Sequence, residues 1–426
     1  MQEHPVINHR IPGVGLTMDD SSSGISIRAP VDLSSFCVSE KYGFLLTDPL
    51  TDLPEYYRTW MDLAGNLPHL VQTRQLQARV AEMPLLSTSY LRGHRELRLA
   101  RMALGFITMG YVWQEGGHQP AKVLPKALAV PFCTVSKMLG LPPILVYADC
   151  VLANWRLRDP DRPLEIENVD TLFTVPGGES SRSFFLVSLL VEQSACTGLQ
   201  GVATVMNSML TGDIAAMLEA LAVVRDSIGR MTEVFKLMHK YVDPTLFHNS
   251  VRTFFMGWKN NPALPDGLWY EGVGEQPLRL TGCSAGQSSS IQCFDLLLGV
   301  QYSDDTGRSF MKTMRAYMPP PHRQLLETLS GWPSLRQLVL SDPASGPELR
   351  RAYNSCVLAL VDLRCFHLNT VARYVAVPSS RARLGGCPFA GGGLALQGDR
   401  GSGGTNALLF LKGIRDDTKR ALITDQ

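Results

Sequence analysis

The nine cysteines of this chain make no pattern: there is no CxxC, no CxxCH and no Cys/His finger spacing, so they read as free or buried thiols. No HExxH, clustered histidine pair or acidic calcium loop is present either, which argues against zinc and calcium sites. Charge of one sign is missing as well. With 40 basic and 39 acidic residues the formal net charge is +1, and no basic block or aromatic-interleaved basic stripe occurs. Nucleic acid and membrane surfaces are therefore not expected partners. The stretch MQEHPVINHRIPGVGLTMDDSSSG holds no apolar signal core, no apolar run approaches the length of a membrane span, and no Asn-x-Ser/Thr acceptor exists. A reducing, cytoplasmic location is expected. Internal repeats and alternating strands and helices are absent, so neither a solenoid nor a parallel sheet is expected.

What is present is helical periodicity. At 426 residues, 45% of them hydrophobic, the chain is long for one core and two domains are expected. Residues 1–30 are polar and aperiodic, a disordered tail. Helical patterns at Pro54–Leu63, Val71–Met83 and Glu96–Trp113 make a small helical domain over residues 31–142, and the Pro-rich passage Pro125–Pro143 marks its boundary. The loop DPDRPLEIENVDTLFTVPGGESS holds the strand-like pieces. FFLVSLLVEQSACTGLQGVATVMNSML and DIAAMLEALAVVRDSIGRMTEVFKLMHKYV read as core helices of a large domain, residues 143–426. Further helices are expected at Pro244–Trp258, IQCFDLLLGVQ, Gly307–Tyr317, Pro321–Leu329 and near the end of the chain. Residues 378–406 hold nine glycines, which makes them either disordered or a functional flap. The expected fold class is all-α.

Few residues offer chemistry. From Ser345 to Pro378 a long helix is expected, with a capping box at Ser345 and Glu348, and Pro378 closing it. Leu349, Tyr353, Val357, Leu360, Leu363, His367, Val371 and Tyr374 share one face, so His367 points inward. An inward histidine is either a core residue bonded to a carbonyl or a ligand to a metal or haem iron, and spacing leaves both open. Gly282-Cys283-Ser284-Ala285-Gly286 matches a hydrolase elbow, but polar EQPLRLT precedes it where a buried strand is required; a turn capping the next helix through Ser288 or Ser289 is the other reading. Ser188 lies one turn after Phe184. Arg252, five residues after Phe247, either grips a carboxylate or makes a structural ion pair. The carboxylate pair Asp416-Asp417 is expected in solvent.

The strings LPPILVYADCVLANW, FFLVSLLVE, GWKNNP, YEG, SAGQSS, QCFD, YMPPPHR, the RxxHL around His367 and a late GSGGT, in unbroken order from about residue 30, together resemble the indoleamine 2,3-dioxygenase family. PGGES, YVDP and DRGSGGT lean the resemblance toward its second paralogue. The resemblance implies a two-domain helical protein that holds haem b and inserts both atoms of O2 across the indole C2–C3 bond of L-tryptophan, giving N-formylkynurenine, the first step of the kynurenine pathway. It implies His367 as iron ligand and Arg364 as its haem-side arginine, paired with Asp295 or a propionate. Tyr147, Cys150, Val151, Phe184, Ser188, Phe247, Arg252, Ser284 and Ala285 match the pocket, with Ser188, Phe247 and Arg252 nearest the chemistry. Gly403, Gly404 and Thr405 match the flap. L-tryptophan, O2 and an electron donor are the implied partners of a monomer. Cys283 for glycine, Ser402 for threonine and His248 for an aromatic or apolar residue depart from the family pattern, and a modest tryptophan affinity is expected from them. A second reading is a haem-retaining signalling protein whose Leu268-Trp269-Tyr270-Glu271-Gly272-Val273 offers a phosphotyrosine to an SH2 partner. The family's other such site has Phe132 at the tyrosine position.

Overall fold

Apolar residues at three-and-four spacing form helices nearly everywhere, and the computed structural model describes residues 29–303, 305–341, 346–384 and 407–424 of them in an all-α fold. Val31–Gln426 makes one compact unit. The tail expected over residues 1–30, apart from its last two positions, lies outside the described residues, as do Ser345, Ser402 and the flap residues Gly403, Gly404 and Thr405.

The helix Gly93–Trp113 is buried nearly all round and collects the shorter helices Arg58–Gly65, Leu67–Gln72 and Leu76–Ala81 against it. Further along, Ile214–Phe235 packs against Gly178–Ser194, Cys196–Thr211 and Gly346–Val371. The expected Pro-rich passage contains a helix, Lys126–Met138, that runs through Pro131. One missing backbone hydrogen bond is tolerated there because Leu128, Ala129, Phe132 and Val135 are buried beside it. Strand structure is minimal. Arg156–Leu157 pairs antiparallel with Val169–Asp170, inside and just before the expected loop, whereas Val123–Leu124 pairs in parallel with Trp269–Tyr270, which local pattern did not reveal.

The helix that carries His367 does not stop at Pro378. A π-turn, Ala372–Ala376, follows Gly346–Val371, and helix resumes over Val377–Leu384. The wider turn shifts the hydrogen-bond register just where proline has no N–H to donate. The resulting segment Pro347–Ser380 reaches a mean hydropathy of 1.3 in its most apolar window, so it is long and apolar enough to cross a membrane, which no apolar run in the sequence suggested. Here its buried face, Leu349, Tyr353, Val357, Leu360 and Leu363, packs on Ile214–Phe235 and Ala407–Arg420. Asp417 is also not in solvent: it is buried and accepts from Ser303 at 2.7 Å.

Arg364 locks this helix in place. Its guanidinium donates to both carboxylate oxygens of Asp295, at 2.7 and 2.8 Å, and to the Thr418 hydroxyl, while Tyr302 donates to Asp295 at 2.6 Å. Of the two partners expected for Arg364, Asp295 is the one engaged. Removing one member of such a buried pair strands the other charge at a cost of about 3–5 kcal/mol. Asp295→Ala is expected to lower unfolding stability by about that amount in denaturant titration, and a loss under about 1 kcal/mol would contradict the lock.

Candidate active site

His367 opens onto a cavity of about 360 Å³, in the range of small-molecule sites. Among the described residues its imidazole makes no hydrogen bond; its ring neighbour is Phe235, with centroids 5.8 Å apart. The carbonyl partner of an ordinary core histidine is therefore missing. Burial, and then the charge of Arg364, push its pKa down to about 4, so the ring is neutral and keeps a lone pair at physiological pH.

The wall opposite is built by charges buried elsewhere. Arg98 donates to the Ala148 carbonyl at 2.8 Å, and Arg101 donates to those of Pro142 and Ile144 at 2.8 and 2.9 Å and pairs with Asp149 at 3.2 Å. These contacts pin residues 141–149, so that the short helix Tyr147–Cys150 presents Tyr147, Cys150 and then Val151 to the cavity. Glu192, buried, accepts from Tyr147 at 3.0 Å, Ser288 at 2.5 Å and Ser290 at 2.6 Å. Burial raises its carboxyl pKa against the pull of those three donors.

Phe184 and Ser188 come from the helix Gly178–Ser194. The Ser188 hydroxyl donates to the Phe184 carbonyl at 2.8 Å, leaving its oxygen to accept from the cavity side. Phe247 and Arg252 reach the same cavity through an irregularity. In an α-helix, five residues rotate about 140° beyond a full turn and would separate them. The chain instead forms a π-turn over Phe247–Val251, with the Arg252 N–H bonded to the Phe247 carbonyl, and both side chains line the cavity. Ring centroids of Phe184 lie 4.9 Å from Phe247 and 5.3 Å from Phe255. Arg252 is 8% exposed.

The fourth wall depends on two glycines. A Cβ at Gly257 would sit 2.3 Å from the Gly282 nitrogen, and one at Gly282 would sit 1.9 Å from the Phe255 carbonyl oxygen, so these backbones cross in direct contact. That crossing delivers Cys283, Ser284 and Ala285 to the cavity. Ser284 accepts from the Gly286 N–H at 3.2 Å and caps a 3-10 turn, Ala285–Gln287, while Ser288 caps Ser289–Leu297. No buried strand leads into Ser284, and a 3-10 turn separates it from the next α-helix, so the strand-to-helix turn of a hydrolase elbow is absent.

All described residues assigned to the pocket, Tyr147, Cys150, Val151, Phe184, Ser188, Phe247, Arg252, Ser284, Ala285, Arg364 and His367, line this cavity. His248 does not; it is buried, and its pKa falls to about 4 through burial and Arg252. Glu192 and Phe255 were not anticipated. A carboxylate one turn after Ser188 in an apolar helix was a signal for the first, and the aromatic pair after Arg252 for the second. A single neutral imidazole on an apolar cavity fits a haem, which brings four of its own iron ligands and needs one axial donor.

The indoleamine 2,3-dioxygenase family model matches residues 32–421. Indoleamine 2,3-dioxygenase 2 of Homo sapiens is 46% identical over 407 residues, covering 95% of this chain and 99% of that protein. Indoleamine 2,3-dioxygenase 1 of Rattus norvegicus is 44% identical over 394 residues, 92% of this chain and 96% of its own. A protein named myoglobin, from the abalone Haliotis diversicolor, is 36% identical over 395 residues, 92% and 99% of the two chains. The chain belongs to the indoleamine 2,3-dioxygenase family, haem-dependent dioxygenases acting on tryptophan or indoleamines, and leans toward its second paralogue.

Proposed function

We propose that this protein cleaves the indole C2–C3 bond of L-tryptophan with O2 to give N-formylkynurenine. The observation that carries this reading is the His367 imidazole, neutral and without a hydrogen-bond partner among the described residues, facing an apolar, aromatic-lined cavity. His367 would hold the iron of haem b, and the Arg364–Asp295 pair fixes the His367 helix. When bound, the haem supplies O2 activation. The chain's own residues then position the substrate: Phe184 and Phe247 flank the indole, Arg252 grips the carboxylate, and Ser188 accepts a hydrogen bond from the indole N–H or the substrate ammonium. Tyr147, Cys150, Val151, Ser284 and Ala285 wall the site against water. Gly403, Gly404 and Thr405, which match the family's flap, lie outside the described residues. Both oxygen atoms end in the product, so no side chain has to take a permanent proton. Cys283 adds bulk to the wall and lowers tryptophan affinity. The division near residue 142, a monomeric state, a cytoplasmic location and an external electron donor belong to the same proposal.

The signalling reading loses its foothold in the fold. Tyr270 is 2% exposed, and its hydroxyl donates to the Pro143 carbonyl at 2.5 Å. A phosphoryl group has no room there without local opening. Tyrosine kinase treatment of the native protein is expected to leave Tyr270 unmodified, and stoichiometric phosphorylation without loss of near-UV circular dichroism would restore that reading.

Reduced, haem-loaded protein given O2 and L-tryptophan is expected to show a Soret band and accumulate N-formylkynurenine. Its Michaelis constant should fall toward the upper end of the usual ~1 μM–1 mM range, and saturation near ~1 μM would contradict the role given to Cys283. His367→Ala is expected to lose both band and product. A retained band in that variant overturns the iron assignment. A wild-type Soret band without product overturns the dioxygenase reading in favour of oxygen binding, the role the name of the abalone relative carries. Arg252→Gln should raise the Michaelis constant about tenfold or more if the arginine grips the carboxylate.

A further inference from the structure

The cavity wall contains a pair of groups that tryptophan cleavage does not use. Cys150 and Cys283, 133 positions apart in sequence, bring their Sγ atoms to 3.2 Å. Both are free thiols, and both line the cavity. Neither end of the contact is loose. Cys150 ends the short helix held by Arg98, Arg101 and Asp149, and Cys283 follows the backbone crossing of Gly257 and Gly282. A disulfide spans ~2.05 Å between sulfurs, so closure requires an approach of about 1.1 Å, within reach of rotation about two cysteine χ1 angles.

We propose that Cys150 and Cys283 form a reversible disulfide across the cavity wall, a modification site for hydroperoxides small enough to enter the cavity. The two thiols take different parts. Cys150 is 1% exposed, and burial raises its thiol pKa well above the ordinary value, with Cys283 adding to the shift. Cys283 is less buried and meets the oxidant first. Its sulfur attacks one oxygen of hydrogen peroxide, the O–O bond breaks, and the departing hydroxide leaves as water with the thiol proton, giving a sulfenic acid. The Cys150 sulfur then displaces the sulfenic hydroxyl, which leaves as a second water with the Cys150 proton. Two thiols have lost two electrons and one peroxide has become two waters. Two equivalents of a small thiol reverse the step, the first forming a mixed disulfide and the second releasing it as the small thiol's own disulfide. The bridge ties the Tyr147–Cys150 helix to the Ala285–Gln287 turn, so the wall loses freedom to move.

The test reads covalent mass, so it is independent of haem turnover and of the proposed function. The full-length holoprotein is treated with hydrogen peroxide, or in parallel with diamide, a two-electron thiol oxidant, then alkylated after unfolding and digested. The expected result is one cross-linked peptide pair containing Cys150 and Cys283, two hydrogens lighter than its parts and abolished by dithiothreitol. In Cys283→Ser the cross-link should fall to background, with Cys150 recovered alkylated; Cys150→Ser provides the reciprocal control. Three outcomes overturn the proposal. They are both cysteines recovered alkylated while other thiols oxidise, a bridge from either to a third cysteine, or Cys283 driven to sulfinic acid with no bridge.

Discussion

A buried ion pair sets the geometry on which the site depends. Arg364 lies on the same helix as His367 and is held by Asp295 and Thr418, and Tyr302 donates in turn to Asp295. Two charges taken out of water are worth keeping only when every lone pair and N–H is engaged, and such engagement permits a single placement of the helix. That placement decides how far the His367 imidazole projects into the cavity. The pair thus acts on His367 through the helix that Arg364 and His367 share.

Two further walls are fixed by backbone rather than by charge. At Gly257 and Gly282 two chain segments meet at a separation that no Cβ permits, and the Phe247–Val251 π-turn swings Arg252 onto the side that already holds Phe247. Both are irregular features in an otherwise helical protein. Regular helix distributes side chains evenly around an axis, so converging an aromatic, a cation and a small-residue turn on one volume requires breaking that regularity. The arginines of the helix Gly93–Trp113 do similar service at Tyr147–Cys150, using buried donors to hold a loop by its carbonyls.

The cavity itself is electrostatically sparse. Arg252 lines it, Glu192 is occupied by three hydroxyl donors, and Arg364 is occupied by Asp295. A site of this kind has little capacity for acid–base catalysis, and it suits chemistry brought by a cofactor and steered by substrate position. The same dryness keeps the Cys150 thiol protonated and leaves its partner Cys283 as the redox-sensitive edge of the wall.

Helical periodicity, which depends only on neighbours three and four residues apart, was legible along most of the chain, and so was the inward face of the His367 helix. The family resemblance carried the pocket residues from 147 to 367. What local pattern misread were the places where tertiary packing overrides it: the helix through Pro131, the continuation past Pro378, the buried Tyr270 and Asp417, and the parallel pairing of Val123–Leu124 with Trp269–Tyr270. The sequence by itself determined an all-helical chain with one histidine on an apolar face. Only the tertiary structure decided that, among the described residues, this histidine has no carbonyl to bond, because satisfying or orphaning an inward imidazole depends on groups far away in sequence.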